Sequence, residues 1–191
     1  MTTDTPSHAS LDLQITRAER PDHEPLRRMV ELYMHDFSEF DGEDLDEHGL
    51  FGYSNLDYYW HELAHYAYIF RVNGRFAGFA LVNDDVIHSE NQFWMAEFLF
   101  FVLRKYRKAG IGRAAAQYIF DAHPGRWEVG QRNVNASSTV FWRSVILAYT
   151  DGQLQEISLD NDEWQGTVHI FRAGKEACSD GKIAAAEQKD V

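Results

Sequence analysis

Cysteine is almost missing from this 191-residue chain: Cys178 stands alone in a polar tail. One thiol cannot staple a fold, and no zinc-knuckle spacing can be built from it. Long apolar runs are missing too. The richest, FLFFVL at residues 98–103, is strand-sized, far short of the roughly 18 residues that suggest a membrane span. The opening MTTDTPSHAS has neither a basic start nor an apolar stretch, so no secretory signal is expected and the cytoplasm is the expected location. Cations are scarce. Lys and Arg number 18 against 30 Asp and Glu, for a net charge of -12. A duplex-binding surface needs the opposite sign, so no nucleic-acid partner is expected. No internal repeat or low-complexity linker is visible. One domain is expected over residues 11–172, with polar tails at 1–10 and 173–191.

What is present is material for a core: 45% hydrophobic and 14% aromatic residues, enough for burial to offset ordering. Leu11, Leu13 and Ile15 alternate with polar residues, as in a strand. Pro21 opens a helical pattern in which Leu26, Met29, Val30, Tyr33 and Phe37 share a face. An acidic loop is expected from Asp36 to Gly49, then a short helix to His65 capped by Asn55. Asn73-Gly74 between two apolar runs predicts a hairpin. Residues 91–103, nearly all apolar, predict a central strand. A helix is expected from Gly110 to Ala122, a strand at RWEVGQ, a helix at ASSTVFWRSVIL, and strands at LQEISL and GTVHIFRA. The order β-α-α-β-β-β-α-β-α-β-β gives an α/β (α+β) class: a mixed, mostly antiparallel central sheet flanked by helices.

Two stretches compete for the chemistry. His61-Glu62-Leu63-Ala64-His65 spells the HExxH of zinc proteases, in which two His one helical turn apart bind zinc and Glu is the general base. The helix, however, is expected to stop at the second His, because YAYIF (residues 66–70) leads straight into the hairpin. The extended form fails as well, with Tyr68 and Arg71 at its Gly and third-His positions. A distant third ligand would have to come from Asp84, Asp85, His88, Glu90 or Glu97. The preferred reading is a helix that happens to carry two His, with no metal.

The rival is Arg107-Lys108-Ala109-Gly110-Ile111-Gly112, which follows an apolar strand and opens a helix. Backbone N–H groups at such a turn, with the helix dipole behind them, bind phosphate oxygens. Gly110 and Gly112 would let the backbone approach a pyrophosphate. Arg107, Lys108 and Arg113 reverse the sign of an acidic protein locally, as an anionic cofactor requires. The stretch is no P-loop, because no G-K-[ST] follows, and Ala115 replaces the third Gly of a dinucleotide fingerprint.

This stretch resembles the acetyl-CoA loop of the GCN5-related N-acetyltransferases, Q/R-x-x-G-x-G/A after the fourth strand. The resemblance rests on Val102, Tyr106, Arg107, Gly110, Ile111 and Gly112. A second family element follows at the right distance: Asn135, then Phe141 and Trp142. Together they cover about residues 67–171. The resemblance implies acetyl-CoA as co-substrate and no metal. It places the pyrophosphate on the amides of Arg107 to Gly112, including Lys108, Ala109 and Ile111, with Arg113 beside them. The pantetheine arm would run along the main chain at Val102 and Leu103, in a splay between strands four and five, and Asn135 would bond it near the thioester. The acceptor would be the primary amine of a small molecule or peptide, and a homodimer is left open.

Two departures stand out. Trp142 occupies the place of the Tyr that protonates the leaving thiolate in many members, which makes Tyr149 the nearest substitute. Ile146-Leu147 stands where Gly-Phe is customary. Glu97, the only carboxylate in its apolar strand, is the candidate general base, and its alternative is a buried structural partner. Tyr33, His35 and Asp36 are candidate specificity residues. The acidic run to Glu47 is read as a solvated loop, or else as a mouth for a cationic amine. The aromatics Tyr53, Tyr58, Tyr59 and Trp60 serve packing or a substrate wall. A non-catalytic acyl-CoA-binding module and a zinc hydrolase are the alternatives to the enzyme.

Overall fold

The computed structural model describes residues 11–85, 96–162 and 164–174; both expected tails fall almost wholly outside them. Seven strands form one sheet in the order β1 (Leu13–Arg17), β2 (Tyr66–Val72), β3 (Arg75–Asn83), β4 (Ala96–Val102), β5 (Gly125–Arg132), β7 (Gln165–Ala173) and β6 (Gln155–Asp160). Every neighbouring pair is antiparallel except β4 and β5. The helices are α1 (His23–Asp41), α2 (Tyr58–His61), α3 (Ile111–Ala122) and α4 (Ala136–Tyr149). The expected class and element order are those observed.

Two apolar layers hold the helices to the sheet. On one face, Leu26, Met29 and Val30 of α1 pack with Ile69, Phe79 and Leu81. On the other, α3 and α4 close over Phe70, Trp127 and Phe171, with Phe120 of α3 at the centre. Its ring centroid lies 4.9 Å from Trp127 and 4.8 Å from Phe171. Fully burying each such ring stabilises the fold by about 1.5–3 kcal/mol. The hairpin forms where Asn73-Gly74 predicts it, with φ of 50° and 72°, the left-handed pair that a two-residue turn requires.

Two expectations are corrected. The acidic segment does not begin as a loop at Asp36. Helix α1 runs on to Asp41 and stops at Gly42, whose φ of 72° provides a left-handed cap that glycine adopts without steric cost. Helix α2 holds only four residues and is capped at Asp57, with no side-chain bond from Asn55. Glu62 is already extended and Ala64 has φ 63°. His61 and His65 therefore share no helical face, and the one-turn geometry a zincin needs is missing. Among the described residues, no three His, Cys, Asp or Glu gather as metal ligands, and no helix is long and apolar enough to cross a membrane.

Two histidines set up an expected pH dependence of stability. His169 of β7 is fully buried; its Nε2 lies 3.0 Å from Glu156 Oε1, and Arg143 donates to the other oxygen of Glu156 at 3.1 Å. Burial pushes the imidazole below its ordinary value of 6.5, although Glu156 pulls the other way. Burial lowers His123 too, aided by Arg17. The unfolded chain thus takes up protons below about pH 6.5 that the folded chain resists, so stability present above that pH is lost as pH falls through it. Melting temperature is expected to drop between about pH 7.5 and about pH 5.5, and to drop less in His169→Gln. An equal drop in both proteins would remove His169 from this account.

Candidate active site

Among the described residues, strands β4 and β5 pair only at Ala96–Glu128 and Glu97–Val129. Beyond this they part, and a cleft of about 680 Å³ opens. Its walls come from the C-terminal half of β4, the loop before α3, the start of α4, and Tyr33, Asp36, Phe37 and Phe40 of α1. The anticipated splay is therefore present. Its cause lies partly in β4, where the register against β3 slips: Leu81 pairs with Leu99 and Val82 with Glu97, which leaves Phe98 as the extra residue. Such a bulge bends its strand.

The main-chain polarity of β4 follows from one bond. Leu103 donates its N–H to Ala77 at 2.9 Å, and its carbonyl accepts from Tyr106 at 2.8 Å. Both groups of Leu103 are therefore engaged, contrary to the expected bond to a pantetheine arm. Alternation along an antiparallel pair turns the N–H and C=O of Phe100 and Val102 toward the gap instead. The Val102 carbonyl is taken by Arg107 Nε at 2.8 Å. The Phe100 groups and the Val102 N–H are what β4 offers a ligand.

The loop ends in a left-handed turn. Lys108 has φ 63°, and Gly110, the N-cap of α3, has φ 80°. The first helical bond runs from Ala114 to Gly110, so the amides of Ile111, Gly112 and Arg113 have no partner in the helix. Such amides, with the helix dipole behind them, have the polarity that suits an anion. Glycine at 110 meets the φ requirement, with open space beside it. Glycine at 112 serves packing: a Cβ there would lie 3.2 Å from the Phe141 ring. Ile111 buries its side chain in the core, which leaves only its amide for a ligand. Lys108 and Ala109 are exposed on the loop, and among the described residues Arg113 reaches only Ser144, at 3.5 Å.

Asn135 caps α4. Its Oδ1 accepts from the Ser138 amide at 3.1 Å and the Ser137 hydroxyl at 2.9 Å, and the residue lines the cleft. Tyr149 stands elsewhere. Its hydroxyl donates to Asp121 at 2.6 Å and accepts from the Gly174 amide at 3.2 Å. Burial and the Asp121 carboxylate push the phenol up to about 12. Trp142 is buried behind the cleft, with its ring 4.9 Å from Phe100. The backbone of Glu97 lies at the bulge; its side chain is outside the described residues.

The α1 wall was only partly legible. The sequence points to Tyr33 and Asp36, but its pattern puts Phe37 in the helix packing and Phe40 in a loop. All four recur at three and four residues, so one continued helical stripe is the signal that could have found them. Tyr33 stacks on Phe37 at 5.8 Å and meets Phe101 edge-on at 6.2 Å.

The model of the acetyltransferase (GNAT) family matches residues 26–143. A comparison with curated proteins finds no match. Among solved structures, an acetyltransferase from Thermus thermophilus superposes with TM-score 0.61 at 15% identity, covering 84% of this chain and 96% of that one. The yncA protein of Salmonella typhimurium, solved with its cofactor acetyl-CoA, gives 0.57 at 13% identity, covering 89% and 99%. The ribosomal-protein-S18-alanine N-acetyltransferase of Escherichia coli gives 0.50 at 15% identity, covering 87% and 99%. At these identities the likeness is one of fold.

Proposed function

The chain belongs to the acetyltransferase (GNAT) family, and on that premise we propose that it transfers the acetyl group of acetyl-CoA to a primary amine of a small molecule or peptide. The observation that carries this reading is the left-handed cap at Gly110, which leaves the first amides of α3 open beside the β4–β5 gap. When bound, acetyl-CoA supplies the acetyl group as an activated thioester. The amides of Ile111 to Arg113, with Lys108 and Arg113, fit its pyrophosphate. The Phe100 and Val102 main chain receives the pantetheine arm as an added strand, and Asn135 keeps its Nδ2 for the same arm.

An amine is cationic near neutral pH, so a base must remove a proton before attack on the acetyl carbonyl. Glu97, at the bulge, is the base we propose. A β4 N–H facing the gap stabilises the developing oxyanion. The name of the Escherichia coli neighbour gives a protein alanine as its acceptor, a precedent on this fold for an amine. We propose no metal for this reaction.

One observation favours a second reading. Neither Trp142 nor Tyr149 of α4 brings a proton donor to the cleft, as a non-catalytic acyl-CoA-binding module would have it. Calorimetric titration with acetyl-CoA, alongside Gly110→Trp, separates the cases. Binding to the parent and not to the variant is expected. Release of free thiol with a panel of amines then marks the enzyme; binding without release marks the module. A parent protein that does not bind acetyl-CoA sinks both readings.

A further inference from the structure

Asp36 belongs to α1, but its carboxylate serves the loop before α3. Oδ1 accepts from Arg104 Nη2 at 2.7 Å and from Arg104 Nε at 3.1 Å, while Oδ2 accepts from Arg107 Nη2. Arg107 is also tied through Nε to the Val102 carbonyl at 2.8 Å, and its guanidinium lies 5.7 Å from the Phe101 ring centroid. The carboxylate is 21% exposed, against 69% and 43% for the two arginines. Burial pushes its carboxyl up, but the bonds from Arg104 and Arg107 outweigh this, and the net direction is down. It is therefore ionised near neutral pH.

The consequence concerns Arg107, the first residue of the glycine loop. Its side chain is held at two points, the Asp36 carboxylate and the Val102 carbonyl, so its donors are already engaged within the protein. A lone carboxylate on the cleft wall would repel a pyrophosphate. Two guanidinium groups on one carboxylate leave the local balance positive instead. The following residue, Lys108, sits at φ 63°, a conformation that persists only where its surroundings fix it.

We infer that Asp36 is a positioning residue for acyl-CoA binding: by holding Arg107 against the Val102 carbonyl of β4, it fixes the loop in its anion-accepting shape. The inference rests on the acyl-CoA reading of this cleft. It also assigns Arg107 a role different from the direct phosphate contact expected from sequence. The phosphate-facing cations are then Lys108 and Arg113, and α1 is coupled to the cofactor loop through one carboxylate.

The test is calorimetric affinity for acetyl-CoA in the parent, Asp36→Ala, Asp36→Asn, Asp36→Glu, Arg107→Ala and the Asp36→Ala/Arg107→Ala pair, with melting temperatures beside it. Asp36→Ala and Asp36→Asn are expected to bind about tenfold more weakly, the scale of one lost charge-assisted bond. Asp36→Glu, which keeps the carboxylate, is expected to recover most of the affinity. The double variant is expected to be no weaker than either single one, because both remove the same tie. A merely structural link would lower the melting temperature and leave affinity unchanged; that result in the near-isosteric Asp36→Asn overturns the inference. So do tighter binding, which would make Asp36 a repulsive charge, and additive losses in the double variant. Failure of the parent to bind overturns the acyl-CoA reading and this inference with it. A binding parent with unaffected variants overturns the inference alone.

Discussion

Lys108→Glu/Arg113→Glu is expected to bind acetyl-CoA at least about a hundredfold more weakly than the parent while melting within about a few degrees of it. Both side chains are exposed at the edge of the cleft, and among the described residues neither carries a strong internal bond; Arg113 meets Ser144 at 3.5 Å. The fold therefore loses little. A phosphate-facing cation contributes about 1.5–3 kcal/mol through a charged hydrogen bond. Two such losses come to about 3–6 kcal/mol, and each 1.4 kcal/mol is a factor of about ten. Reversed charges add repulsion to the loss. Raising salt should weaken the parent more than the variant, since screening removes attraction in one and repulsion in the other. Binding within about threefold of the parent would take these two cations out of the phosphate site and leave the α3 amides as its whole basis.

Gly78→Val is expected to be the most damaging single change in the sheet. A Cβ at this position would lie 2.1 Å from the Phe101 carbonyl oxygen and 2.9 Å from Phe70 Cδ2. The first contact is with backbone, which cannot rotate aside. Relief requires β3 and β4 to separate where Gly78 faces Val102. Overpacking of this kind costs about 3 kcal/mol or more, which for a chain of this size lowers the melting temperature by roughly 6–12 °C. Gly49→Ala is the control. Its φ of 76° is strained for alanine, but no atom lies within 4 Å of the added Cβ, so about 1 kcal/mol is expected. Differential scanning calorimetry of the two variants gives the comparison. Equal losses would mean that the close approach of β3 and β4 is not what glycine is needed for at position 78.

The order of elements was written in local signals. Alternation in Leu13–Arg17, the Asn73-Gly74 turn and the stripe Leu26, Met29, Val30 each report a short-range preference that tertiary structure had no reason to override. The loop at Arg107 to Gly112 was legible for the same reason, since a strand, two glycines and a helix start are contiguous in the chain. The acidic segment misled because charge was taken for a loop signal. Asp, Ser and Glu between positions 36 and 41 do not stop a helix; Gly42 does. The HExxH pentapeptide misled in the opposite sense, since its spacing implies a helix that Glu62 and Ala64 do not form.

The sequence by itself therefore determined the class of fold, the position of the glycine turn that opens α3 and the family resemblance that the match over residues 26–143 bears out. Tertiary structure decided how each residue is used. It turned Leu103 toward β3 and Phe100 toward the gap, because hydrogen-bond direction alternates along a paired strand. It set Gly112 against Phe141 and drew Tyr149 to Asp121. It also brought Asp36 to Arg104 and Arg107 across some 70 residues of chain, at separations of 68 and 71. A periodicity reports which face of an element is apolar. It carries no record of which distant charge that face will meet, because such a pairing exists only once the sheet has brought α1 and the α3 loop to the same edge of β4.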